Sequence, residues 1–88
     1  MKTVFQSSFA KDLRTIKNRR VHDQVAELIE TVEQAADLSA IPKLKKLHSA
    51  RLCYRVRLGE YRVGIVVQEG VVYFVRCLHR KEIYRYFP

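Results

Sequence analysis

The 88 residues, 48% of them apolar, suffice for one small domain spanning residues 1–88 with a core of its own. They contain no apolar run of about 18 residues and no charged-then-apolar leader, which argues against a membrane span or an export signal and points to the cytosol. The net charge of +8 is uneven: residues 1–40 carry six Lys or Arg and six Asp or Glu, whereas residues 41–88 carry eleven against three, a difference of +8. Concentrated positive charge of this kind is the electrostatic footprint of a nucleic acid or of an acidic protein partner.

Lys2 to Gln6 is short and rich in β-formers (Thr3, Val4, Phe5), and reads as a strand at or near a sheet edge. Ser7 or Ser8 can N-cap a helix in which Phe9, Leu13 and Ile16 recur at three- and four-residue spacing through Lys17. Asn18-Arg19-Arg20 breaks the pattern. A longer helix follows, with Val21, Val25, Leu28, Ile29, Val32 and Ala36 along one stripe and Asp23, Glu27, Glu30 and Glu33 on its outer side. Ala40-Ile41-Pro42 ends the helical region, because proline keeps the residue before it out of helical geometry. Lys43 to Ser49 reads as a basic connector, with Leu44 and Leu47 pointing inward.

Three strands, at about 51–58, 61–68 and 71–78, then form a meander. In the first, Leu52, Tyr54, Val56 and Leu58 alternate with Arg51, Cys53, Arg55 and Arg57, so one face is apolar and the other cationic. Gly59-Glu60 has the Gly-X form of a two-residue II′ turn. That loop fixes register: Leu58 faces Tyr61, Arg57 faces Arg62, Val56 faces Val63 and Arg55 faces Gly64. Like charges directly opposite each other destabilise an antiparallel pair by about 0.2–1 kcal/mol, so a polyanion lying across the face is the simplest reason to keep them. Glu69-Gly70 makes the second turn and pairs Gln68 with Val71, Val66 with Tyr73, Gly64 with Val75 and Arg62 with Cys77. The side facing the helices then holds Val63, Ile65, Val67, Val72, Phe74 and Leu78. The opposite side holds Arg55, Arg57, Arg62, Tyr73 and Cys77. Arg76 falls on the apolar side, which signals a rim position or a bulge.

The last stretch, His79 to Pro88, interleaves Arg80, Lys81 and Arg85 with Tyr84, Tyr86 and Phe87, a pattern suited to phosphate contact and base stacking. Ile83 and Phe87 are expected to pack onto the sheet. Cys53 and Cys77 fit reduced thiols, since Cys53 faces Val66 and Cys77 faces a position four residues further along the middle strand, too far to bridge. No Cys/His spacing suits zinc, and there is no glycine-rich phosphate loop, so no cofactor is expected. The whole reads as an α+β domain, strand–helix–helix–three strands, with an α-helical hairpin on one face of an antiparallel sheet.

Four blocks together, F-x-K-D-L-x-x-I (Phe9–Ile16), L-K-K-L (Leu44–Leu47), Y-R-V-R-L-G-E-Y-R-V (Tyr54–Val63) and H-R-K-E-I-Y (His79–Tyr84), resemble the RelE/ParE superfamily of type II toxins over essentially the whole chain. The resemblance implies a small toxin held by a cognate acidic antitoxin. In the RelE branch the activity is cleavage of mRNA in the ribosomal A site, with the RNA's own 2′-OH as nucleophile and no metal; in the ParE branch the target is DNA gyrase. It places Arg55, Arg57 and Arg62 where RelE-type enzymes carry catalytic cations, and Arg80 and Tyr84 at the family's late Arg and Tyr. Some members have lysines where Arg55 and Arg57 stand. An arginine stays protonated and is a poor base, which leaves proton transfer to His79, whose side chain ordinarily titrates near neutrality, or to Tyr84. Lys43, Lys45, Lys46, Arg51, Lys81 and Arg85 are expected to hold mRNA or rRNA phosphate. The expected function is a ribosome-dependent endoribonuclease. The alternatives are a gyrase inhibitor without nuclease chemistry and a non-toxic module that binds an antitoxin or nucleic acid.

Overall fold

The computed structural model describes residues 1–48 and 50–88. In chain order it contains β1 (Lys2–Phe5), α1 (Ser7–Thr15), α2 (Arg19–Gln34), a 3₁₀ turn (Leu38–Ala40), β2 (Leu44–Lys46), β3 (Cys53–Leu58), β4 (Tyr61–Gln68), β5 (Val71–His79) and α3 (Ile83–Tyr86). The strands form one sheet in the order β1-β5-β4-β3-β2. The α+β class is as expected, but the sheet is mixed, because edge strand β1 runs parallel to β5.

Capping differs from the expectation at α1. Gln6 takes the N-cap position without a side-chain bond, and the Ser8 hydroxyl instead donates to the Val75 carbonyl (2.6 Å). Asn18, in the break between the helices, caps α2 by accepting from the Arg20 N–H (2.9 Å). Along α2 the buried stripe is Val21, Val25, Leu28 and Val32. It continues at Ala35, not Ala36, because the helix stops at Gln34 and the extended Ala35 turns its side chain inward. The last turn of α2 has no basic side chain. The ammonium of Met1 donates to the carbonyls of Val32, Glu33 and Ala35 at 2.8–3.0 Å, satisfying acceptors the helix leaves open. Phe9 and the α2 stripe close over Val56, Val63, Ile65, Val72 and Phe74 as the main core.

The basic connector is in part a strand. Leu44, Lys45 and Lys46 pair antiparallel with Val56, Arg55 and Tyr54. Three residues, two of them lysines, carry too little alternation to announce a strand; the exposed edge of β3 supplies the pairing. Leu44 packs on the main core, whereas Leu47 is buried in a second cluster on the other face. Ser49, the last residue of the expected connector, lies outside the described residues.

The β3–β4 register is as read from the turn, including Arg57 opposite Arg62 and Cys53 opposite Val66. Of the two loop residues, Gly59 has positive φ (59°) and Glu60 does not, as a II′ turn requires. The β4–β5 register follows the expectation only from Gln68–Val71 to Ile65–Phe74. There Val75 is skipped, and Gly64 pairs with Arg76, Arg62 with Leu78 and Tyr61 with His79. This β-bulge corrects the predicted pairs Gly64–Val75 and Arg62–Cys77. It also exchanges two side chains: Cys77 is buried in the main core, and Leu78 packs with the second cluster. Strict alternation would have driven the Arg76 guanidinium into the apolar core, where a charge without a partner is costly. With the extra residue, Arg76 instead reaches Asp12 of α1 through two hydrogen bonds (2.8 and 3.0 Å).

β1 ends opposite Phe74, so the edge of β5 beyond it has no strand partner. Side chains of α1 take over. Ser8 satisfies the Val75 carbonyl, and Asp12, buried at 8% exposure, accepts the Cys77 N–H (2.9 Å). On the opposite face, α3 lies over Leu47 and Cys53 with Ile83 and Phe87, as expected for those two residues. The cysteines are both free and buried, one in each cluster. Burial raises both thiols, Cys77 to about 12 with Asp12 adding to the effect.

Candidate nucleic-acid interface

Alternation along β3 and β4 sends Arg55, Arg57 and Arg62 to the face that α3 only partly covers. Arg62, half-buried, donates from Nη1 to the carbonyls of Gly59 (2.8 Å) and Tyr61 (2.9 Å), which ties its guanidinium to the hairpin turn. Burial lowers its affinity for the proton, and Arg55 lowers it further. Tyr84 acts the other way, while Arg57 and Arg80 add to the lowering. Those four groups therefore lie within electrostatic range of Arg62, with Arg57 its direct cross-strand partner.

Arg55 is half-buried and donates from Nη1 to the Lys43 carbonyl (3.3 Å). Its Nε is buried and has no partner among the described residues. Lys43 adopts positive φ (63°) just before β2, which turns its carbonyl toward that guanidinium. Arg80 is held twice by the β3–β4 turn: its N–H donates to the Glu60 carbonyl (2.8 Å), and its Nε pairs with the Glu60 carboxylate (2.9 Å). Tyr84, on α3, is 59% exposed and presents its phenol to solvent.

Of the residues named from sequence, the fold gathers Arg55, Arg57, Arg62, Arg80 and Tyr84. It does not bring His79 to them. The bulge places His79 opposite Tyr61, and the two rings meet edge-on (5.6 Å between centroids) on the side of Val63 and the helices. The His79 Nδ1 accepts the Lys81 N–H (3.1 Å), so the side chain shapes the turn into α3. Lys45 and Lys46 project from edge strand β2, with Lys43 just before it, and Arg51, Lys81 and Arg85 are exposed. His22 is bonded to the Ile16 carbonyl at the corner between the helices, and His48 is exposed.

Sequence reasoning missed Glu60, whose partner Arg80 is twenty residues away and meets it only through the β4–β5 pairing. It also missed the Arg76–Asp12 pair, for which the one signal was Arg76 on an apolar face. Arg76 has a second neighbour there, the ring of Tyr86 at 5.4 Å from the guanidinium carbon.

Chemically, the gathered guanidinia can bind phosphate in a bidentate manner and stabilise negative charge that grows on it. Tyr84 adds a hydroxyl that can give or take a proton. Among the described residues, no three His, Cys, Asp or Glu side chains group as a metal-holding set, and no helix is long and apolar enough to cross a membrane.

Residues 4–84 match the family described as the ParE toxin of the type II toxin–antitoxin system, parDE. Toxin RelE3 of Methanocaldococcus jannaschii is 36% identical over an alignment of 89 residues that covers 100% of each chain. A chain of the RelB–RelE antitoxin–toxin complex from Methanococcus jannaschii superposes with a TM-score of 0.81 at 34% identity, covering 97% of this chain and 99% of that one. A chain of the archaeal RelE–RelB complex from Pyrococcus horikoshii OT3 shares the fold, with a TM-score of 0.71 at 20% identity and coverage of 93% and 97%.

Proposed function

Since this chain belongs to the ParE toxin family of type II toxin–antitoxin systems, we propose that it arrests translation as an endoribonuclease that cuts mRNA in the ribosomal A site. The observation that carries this reading is the gathering of Arg55, Arg57, Arg80 and Tyr84 around Arg62 on an exposed face. In-line attack by a 2′-OH on the adjacent phosphate needs a proton acceptor, positive charge on the pentacoordinate phosphorane and a proton for the departing 5′-oxygen. Arg62 and Arg57 bind the scissile phosphate, and Arg55, with its unpartnered Nε, supports them. Tyr84 gives its phenol proton to the departing 5′-oxygen, and the phenolate so formed takes up the proton released by the 2′-OH. Lys43, Lys45, Lys46, Arg51, Lys81 and Arg85 hold neighbouring RNA phosphates, of the message or of rRNA. A chain of similar fold occurs in a RelB–RelE antitoxin–toxin complex, and the cationic face suits an acidic antitoxin by charge.

The test is a cell-free translation reaction in which message ends are mapped by primer extension for the wild type, Arg62→Ala and Tyr84→Phe. New ends inside translated codons, absent with naked message and lost in Arg62→Ala, are expected. Intact message from a protein that still arrests growth would turn the arginine face into a binding surface for another target, with gyrase the first to assay.

A further inference from the structure

Gly64 sits in the interior of the central strand β4, where a glycine weakens the strand and ordinarily marks a close approach. Positive φ among the glycines is confined to Gly59 and Gly70, so conformation does not demand glycine here. Space does. A Cβ at this position would lie 2.6–2.9 Å from Cδ2, Cγ and Cε2 of Phe87, because that ring occupies the space a side chain would need.

Phe87 and Ile83 are four residues apart, 3% and 0% exposed, and face the sheet from the two ends of α3. A helix of four residues has no stability of its own, so its place is set by these two anchors. Tyr84 lies between them and points outward into the electrostatic range of Arg62. Gly64 and Arg62 are two residues apart on the same face of the same strand, and Arg55 stands directly across from Gly64. The contact of the Phe87 ring with bare backbone at Gly64, together with the burial of Ile83, therefore sets the distance between the phenol and the guanidinia.

We infer that Gly64 and Phe87 are positioning residues for the reaction: they seat α3 on β4 and thereby hold Tyr84 at the height above the sheet that the arginine-bound phosphate requires. This rests on the reading that Tyr84 acts at an RNA phosphate. The energetic argument is that displacement of a reacting group by about 1 Å can cost up to about 100-fold in rate, and a methyl at position 64 must lift the ring by a similar distance. The main core lies on the other face of the sheet and does not depend on this contact.

The experiment compares the full chain as wild type, Gly64→Ala, Phe87→Ala and the double variant on translating ribosomes, with kcat and KM resolved. Gly64→Ala is expected to lower kcat by about 10- to 100-fold while KM moves by less than about 3-fold. The double variant is expected to be no slower than Phe87→Ala, since without the ring the added methyl meets nothing. Losses that multiply in the double variant, or a folded Gly64→Ala with wild-type kcat, overturn the inference. Should Gly64→Ala fail to fold, Phe87→Leu decides: lower kcat with unchanged circular dichroism supports the seat, and wild-type kcat sinks it. A readout without activity comes from Tyr84→Trp, because the chain has no tryptophan. Its fluorescence anisotropy should fall when Gly64→Ala or Phe87→Ala is added, and an unchanged value is contrary evidence. If the wild type leaves message intact, the functional reading fails on its own and the anisotropy arm alone judges the seat.

Discussion

Arg62 and Val63 are neighbours in β4, yet Val63 is sealed in the main core while Arg62 stands opposite Arg57 on the outer face. The same contrast runs through the whole sheet. On one side α1 and α2 bury a broad apolar surface; on the other, the four residues of α3 cover only a small cluster and leave the guanidinia in reach of solvent. The alternation of a strand lets stability and chemistry be assigned to faces a single residue apart. It also means that substitutions on the two faces should have separable effects.

The largest effect should come from Arg62→Ala. Turnover of message is expected to fall by about 100-fold or more, the usual loss when a positioned transition-state donor is removed, with the thermal midpoint nearly unchanged. Val63→Ala should do the reverse, costing about 2–3 kcal/mol in urea unfolding while the folded fraction turns over normally. If either variant shows both losses, the two faces are not separable.

Asp12→Ala tests whether α1 replaces a strand at the open edge of β5. It strands the Cys77 N–H and the Arg76 guanidinium, whose side chain is only 24% exposed, and should cost about 2–3 kcal/mol in urea. An unfolding energy within about 0.5 kcal/mol of wild type would mean that water serves that edge equally well.

The larger pH effect should come from the core face. The folded chain holds the Cys77 proton to about 12, against 9.0 for an ordinary thiol. Above 9.0 the unfolded chain therefore loses this proton first. The stability linked to this group is complete below 9.0 and is lost as pH rises toward 12, by at most about 1.4 kcal/mol per unit. Unfolding measured on both sides of that onset should show a steeper decline for wild type than for Cys77→Ala. Parallel declines would place the cause in other groups.

Glu60→Ala should produce only a small change in stability, less than about 1 kcal/mol, because both members of its pair with Arg80 are more than half exposed. A larger loss in thermal unfolding would show that the backbone link from Arg80 to the turn depends on the carboxylate.

The sequence determined what local spacing can encode. Apolar periodicity placed the helical hairpin, alternation placed the three long strands, and a two-residue turn with Gly59 in its first position set Arg57 against Arg62. The concentration of arginines on one face was legible for the same reason. Contacts across long separations were not. The bulge at Val75 exists because Arg76 needed Asp12, sixty-four residues earlier, and no window along β5 contains that partner. Once formed, the bulge reversed the facing of every residue after it, so Cys77 entered the core and His79 turned away from the arginines. Strand β2 required the edge of β3, and Gly64 acquired its meaning from a ring twenty-three residues downstream. A strand's alternation is a property of neighbouring residues, whereas its register, its edges and what rests on its face are decided by whatever the rest of the chain brings against it.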